Sequence, residues 1–153
     1  MNKIGKIIFI IYFILFLLVI IFKFDGTFNN IINTHNSIIN NRNEGILNIN
    51  LVPFKTVYIY LKNLPSGFAI YNLFGNIIPF IPLGYFIPLY FNKKNRFIKS
   101  IFIFIFILFF IEFSQFIFCI GYFDIDDIIL NFIGLIIGYI ILIIIKNIKK
   151  SKI

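Results

Sequence analysis

Four apolar runs dominate this chain, at 7–22, 67–91, 97–120 and 128–145. A helix needs about 20 apolar residues to cross a hydrocarbon core of about 30 Å, and runs of about 17 suffice. In hydrocarbon the backbone must satisfy its own hydrogen bonds, so each such run is expected to be a helix. The first run holds 16 residues and lengthens through Ile4 and Phe24. The expected fold class is therefore all-α: a polytopic helical membrane protein with four transmembrane helices.

Composition agrees. The chain is 60% hydrophobic and 13% charged, against about 45–50% and about 25% for soluble domains. This excludes a disordered chain and makes a soluble enzyme a poor fit. Of the 153 residues, 101 are Ile, Phe, Asn, Lys or Tyr, which share A/T-rich codons. The aromatic surplus thus reflects coding bias more than chemistry. The glycines, prolines and acids, where that bias was resisted, carry more information. Cys119 is the only cysteine, which excludes an intramolecular disulfide and a cysteine zinc cluster; it reads as a small apolar side chain in a helix. His35, the only histidine, sits in an Asn-rich stretch with no nucleophile to serve.

Charge sets the expected orientation. Lys3 and Lys6 precede the first run, Lys93, Lys94, Arg96 and Lys99 fall between the second and third, and Lys146, Lys149, Lys150 and Lys152 form the tail. Cytoplasmic loops are rich in Lys and Arg, so both termini are expected inside. Asp25, Glu44, Asp124, Asp126 and Asp127 then fall on the other side. The net charge of +8 becomes a topology signal and an attraction to anionic lipid; no folded basic surface suggests nucleic acid. The expected organisation is an uncleaved N-terminal anchor at 1–24, without a small-residue cleavage site. An extracytoplasmic, Asn-rich and weakly patterned loop follows at 25–66, extended or interfacial from Ile46 onward. Helices at about 67–91, 97–120 and 128–145 come next, then a basic tail at 146–153. Pro79, Pro82 and Pro88 are expected to bend the second span.

Polar residues inside these runs are functional candidates, because hydrocarbon makes them costly. Asn72 and Asn76 share a face of span two, Glu112 and Gln115 a face of span three, and Asp124, Asp127 and Asn131 follow helical spacing at the start of span four. At a rise of 1.5 Å per residue, Asn76 lies about 13 Å, Glu112 about 12 Å and Asn131 about 6 Å below the outer surface. With Asp126 they outline a polar site open to the outside. A carboxylate at the depth of Glu112 must be neutral or partnered. The plainer roles are interhelical hydrogen bonds and, for Asp126 or Asp127, a helix cap. Gly134 and Gly138 form a small-xxx-small pair for close helix approach, and Gly75 and Gly84 are expected to serve packing likewise.

Three motifs carry a resemblance. The stretches Asn50-Leu51-Val52-Pro53-Phe54, Asn72 to Gly84 with its three-proline surroundings, and Glu112-Phe113-Ser114-Gln115 followed by Phe123-Asp124-Ile125-Asp126-Asp127 through Asn131, Gly134 and Gly138, together resemble the VanZ-like membrane protein family over about 48–142. That family often has an arginine just before the Phe-Asp-Ile-Asp-Asp run, where this chain has Gly121 and Tyr122. The resemblance implies a bacterial cell-envelope role at the outer leaflet and an association with low-level resistance to teicoplanin, a lipid-tailed glycopeptide. It implies no chemical reaction.

Three readings follow. The first is an outward polar site that handles an outer-leaflet amphiphile or lipoglycopeptide, in a multi-pass plasma-membrane protein whose partners are membrane lipids. The second is an enzyme on a lipid-linked substrate, with Asp124, Asp126 and Asp127 as weak candidates for holding Mg²⁺. The third is a small transporter or membrane-complex subunit built around the broken second span. No catalytic motif and no cofactor motif is visible.

Overall fold

The computed structural model describes residues 3–21 and 28–151, with side chains over 5–20 and 28–148. The end of the first apolar run, Lys23, Asp25 and Lys152 lie outside the described residues. The protein is all-α. Helices α1 (Lys3–Ile21), α2 (Phe28–Asn43), α3 (Lys55–Lys62), α4 (Gly67–Ile77), α5 (Ile81–Phe86), α6 (Arg96–Ile117) and α7 (Ile125–Ser151) are joined by turns and by two short strands, β1 (Ile49–Asn50) and β2 (Phe123–Asp124). Three stretches are long and apolar enough to cross a membrane: Gly67–Tyr90, Lys93–Ile117 and Ile125–Ile148. The apolar part of α1, Gly5–Ile20, is shorter.

The prolines act as expected. Between Gly67 and Tyr90 the helix is interrupted by tighter 3₁₀ turns at Ile78–Phe80 and Ile87–Tyr90. Pro79, Pro82 and Pro88 each sit at the first positions of a new segment, where a missing N–H leaves no bond broken.

The segment between the first two apolar runs differs from expectation. Residues 28–43 form a 16-residue helix, α2, not a weakly patterned loop. No glycine or proline interrupts Phe28 to Glu44, and Phe28, Ile31, Ile38 and Ile39 recur at helical spacing. Ile38 is buried on that face. A second helix, α3, follows at Lys55–Lys62 in the stretch expected to be extended or interfacial.

The chain forms two compact units: Met1–Pro53 with Ile107–Ile128, and Phe54–Phe106 with Ile129–Ile153. In the first, α2 and α6 end in the same way. After α2, Gly45 adopts φ 81°, its N–H donates to the Arg42 carbonyl at 3.0 Å, and the Ile46 N–H donates to the Asn41 carbonyl at 2.8 Å. After α6, Cys119 adopts φ 54°, its N–H donates to the Phe116 carbonyl at 3.3 Å, and the Ile120 N–H donates to the Gln115 carbonyl at 3.1 Å. Both are Schellman closures, which satisfy carbonyls left open at a helix end. Cys119 is therefore buried but lies just past α6, not within a helix. Four residues after each left-handed position a strand begins, and β1 pairs with β2 in parallel, Ile49 opposite Phe123 and Asn50 opposite Asp124.

The second unit is held by close backbone approach. A Cβ on Gly138 would lie 2.8 Å from the Tyr85 nitrogen and 2.9 Å from the Gly84 Cα, and would collide with the Ile81 carbonyl oxygen. One on Gly134 would lie 3.0 Å from the Phe80 Cβ, and one on Gly84 2.7 Å from the Leu135 carbonyl carbon. The Gly134/Gly138 face of α7 is thus seated on the proline-broken segment 77–85, with Phe80, Leu83 and Leu135 fully buried. Gly75 departs from expectation: none of the described residues comes within 4 Å of a Cβ there, so it takes no part in this close packing. Tyr60, Ala69, Leu73 and Leu130 form a small core with Val57 and Ile77, joining α3 to α4 and α7.

Candidate functional site

The polar network of the first unit grows out of the two helix closures. Asn48 follows the turn after α2 and is buried. Its Nδ2 donates to the Gly121 carbonyl at 2.5 Å, and its backbone carbonyl accepts from the Phe123 N–H at 3.0 Å. Arg42, in the last turn of α2, donates to Asn48 Oδ1 through Nε at 2.9 Å and Nη2 at 2.6 Å. Nη2 also donates to the Phe116 carbonyl at 2.6 Å, and the guanidinium lies 4.6 Å from the Phe116 ring centroid. A planar, multiply donating cation fits this combination of acceptors and ring face. His35 Nδ1 donates to the Phe118 carbonyl at 3.1 Å, so α2 is tied to the end of α6 at two points.

Glu112 lies five residues before the end of α6 and is 1% exposed. Its Oε2 accepts the Asp124 backbone N–H at 3.2 Å. Asp124 Oδ1 in turn accepts the Asp126 N–H at 2.9 Å and Asn50 Nδ2 at 3.1 Å. Because α6 stops at Ile117 and not at 120, Glu112 lies about 8 Å along the axis from its helix end, not the 12 Å of a helix ending at 120.

The helix cap is also reassigned. Asp124 precedes α7 and its carboxylate takes the N–H of the second helical residue, which is the N-cap role. Asp126 and Asp127, the expected caps, stand in the first turn, where negative charge complements the helix dipole. Asp126 is fully buried and Asp127 nearly so.

Gln115 is buried on α6, and its Nε2 donates to the Ile20 carbonyl of α1 at 2.7 Å. Its Oε1 has no hydrogen-bond partner among the described residues.

The structure thus gathers Glu112, Asp124 and Asp126 into one chain of hydrogen bonds, with Gln115 and Asp127 in the same unit. Asn72, Asn76 and Asn131 belong to the second unit. Asn72 Nδ2 donates to the Phe68 carbonyl of its own helix at 2.8 Å. Asn131 is buried, and its Oδ1 lacks a hydrogen-bond partner among the described residues. Among the described residues, no group of three or more His, Cys, Asp or Glu could hold a metal ion. The weak candidacy of Asp124, Asp126 and Asp127 for Mg²⁺ is accordingly not supported, since one oxygen of Asp124 is committed to the cap and to Asn50.

Sequence reasoning missed Arg42, Asn48 and Asn50. Asn50 opens the Asn-x-x-Pro-Phe element, which was the available signal. Arg42 stood among asparagines in a stretch expected to be a loop. The resemblance leads to the expectation of an arginine just before the Phe-Asp-Ile-Asp-Asp run, where this chain has Gly121 and Tyr122. Here the carbonyl of Gly121, at that place, is bound by Asn48, and Asn48 is bound by Arg42.

No curated protein and no solved structure matches this chain. The sequence profile of the family described as VanZ/LLP1 matches residues 9–146. The match takes in α2, Arg42 and Asn48, which precede the recognisable motifs, as well as Glu112 and the aspartates. On that match, which covers nearly the whole chain, this membrane-type helical protein belongs to the VanZ/LLP1 family.

Proposed function

We infer that the protein has four spans with both termini cytoplasmic in the plasma membrane, and that the Glu112–Asp124 network opens to the outside. There it handles an outer-leaflet amphiphile, and teicoplanin-type resistance is one consequence. The observation that carries this reading is the buried Glu112 carboxylate holding the strand that leads into α7. Interhelical glue alone would not call for four buried carboxylates, Glu112, Asp124, Asp126 and Asp127, in one small unit, since buried charge is costly unless hydrogen-bonded. The orientation rests on the basic residues at 93–99 and 146–152. A lipid-tailed glycopeptide would present both an acyl chain to the apolar helices and polar donors to the carboxylates.

The test is the inhibitory concentration of teicoplanin and of vancomycin for a susceptible Gram-positive host. The host expresses wild type or Glu112→Gln at matched membrane levels. The expected result is a rise for teicoplanin alone, lost in Glu112→Gln. A rise that Glu112→Gln retains would remove the network from the function. No rise for either drug would refute the resistance role.

A further inference from the structure

The second unit contains no acidic residue: all six Asp and Glu of the chain lie within Met1–Pro53 and Ile107–Ile128. Yet it holds ten of the fourteen Lys and Arg. Four of these are gathered at one end. Arg96 is fixed at the start of α6 by donating Nε and Nη2 to the Phe91 carbonyl at 3.3 and 3.1 Å. Lys99 Nζ lies 5.9 Å from the Phe91 ring centroid. The Phe97 ring stands 5.4 Å from that of Tyr139, which docks the start of α6 against α7. Two turns further along α7, Lys146 lies within the fields of Arg96 and Lys93. Like charges brought together with no acid in the unit raise its energy unless an anion joins them.

The surroundings say what kind of anion. Phe97, Ile98 and Phe102 on α6 and Ile144 and Ile148 on α7 are large, apolar and exposed beside the cations. A ligand that satisfies both surfaces carries a phosphate at one end and acyl chains at the other. Basic pockets between membrane helices bind anionic lipid headgroups on this principle. We propose that Lys93, Arg96, Lys99 and Lys146 form a binding site for the phosphate headgroup of an anionic phospholipid, whose chains lie on the apolar faces of α6 and α7. The site is separate from the carboxylate network, and its existence does not depend on the function assigned to that network.

The test uses the full chain, purified in a neutral detergent and delipidated. Short-chain phosphatidylglycerol, phosphatidylcholine of equal chain length, and inorganic phosphate are titrated separately by calorimetry. Phosphatidylglycerol is expected to bind, and the other two to bind at least tenfold more weakly. Each cation near such a headgroup contributes about fivefold in affinity. The double variant Lys93→Gln/Lys146→Gln should therefore weaken phosphatidylglycerol about 25-fold, while Lys55→Gln/Lys62→Gln, elsewhere in the same unit, leaves it unchanged. Thermal midpoints without lipid should match wild type for Lys55→Gln/Lys62→Gln and equal or exceed it for Lys93→Gln/Lys146→Gln, which relieves like-charge repulsion, since Lys93 is exposed and neither variant removes the Arg96 bonds to Phe91. Equal binding of the two lipids, equal binding of inorganic phosphate, or an unchanged affinity in the Lys93/Lys146 variant would overturn the proposal.

Discussion

Replacing Gly138 by alanine isolates the close approach of α7 to the broken segment 77–85. The added Cβ would stand 2.8 Å from the Tyr85 nitrogen and 2.9 Å from the Gly84 Cα. Ordinary contact begins near 3.5 Å and the Ile81 carbonyl oxygen is met closer still, so the two segments must part by more than about 1 Å. Every atom met is backbone, which cannot swing aside as a side-chain end could. Overpacking of this kind costs about 1–3 kcal/mol, and parting the segments also loosens Phe80, Leu83 and Leu135. Against this, alanine is about 1 kcal/mol better than glycine in a helix. The clash with the Ile81 carbonyl oxygen puts the overpacking cost at the upper end, about 2–3 kcal/mol, so Gly138→Ala is expected to lose about 1–2 kcal/mol net. Gly75→Ala is the matched control: it makes the same chemical change in a helix with open space around it. It is expected to be neutral or to gain up to about 1 kcal/mol. For a chain of this size, 1 kcal/mol moves the unfolding midpoint by about 2–4 °C. The gap of about 1–3 kcal/mol should then separate the two variants by about 2–12 °C in thermal unfolding in detergent micelles. Coincident midpoints would refute the claim that α7 is seated through Gly138.

Three further outcomes follow. Arg42→Gln gives up the paired bonds to Asn48, the bond to Phe116 and the ring contact, and is expected to cost about 2–3 kcal/mol. Arg42→Lys should recover less than half of that, because a point charge cannot reproduce the fork; faster proteolysis at 43–48 in both variants reads it out. Asp124→Asn keeps an oxygen for the Asp126 N–H and is expected to stay within about 0.5 kcal/mol, whereas Asp124→Ala should lose about 1–2 kcal/mol by thermal unfolding. Ser66 accepts the Ala69 N–H at 3.2 Å as the cap of α4; Ser66→Ala should cost about 1 kcal/mol and Ser66→Asp should not.

The apolar runs, the breaks at Pro79, Pro82 and Pro88 and the Gly134/Gly138 contact face were all legible, because each rests on local chemistry with a fixed period. Glu112 and the aspartates could be singled out for a similar reason: a carboxylate in an apolar run has few uses. The rest depended on pairings between residues about 74 apart. Nothing local shows that Asn48 meets Gly121 or that Arg42 meets Phe116. Asparagine is abundant here for reasons of coding, so Asn48 did not stand out from its neighbours. The same abundance hid α2, whose apolar positions were in register but whose polar face is asparagine, a weak helix former. Asp126 and Asp127 looked like caps because α7 was expected to begin at 128; its true start at Ile125 moves that role to Asp124.

The claim on which the functional account turns is that the Arg42–Asn48–Glu112 face is turned to the outer side of the membrane. Labelling with a membrane-impermeant maleimide tests it directly, using Glu44→Cys and Lys94→Cys in a Cys119→Gly background. Glycine suits the left-handed position that Cys119 occupies, and both new sites are exposed. The account predicts that Glu44→Cys is labelled in intact cells and Lys94→Cys only after permeabilisation. Labelling of Lys94→Cys but not Glu44→Cys in intact cells would contradict it.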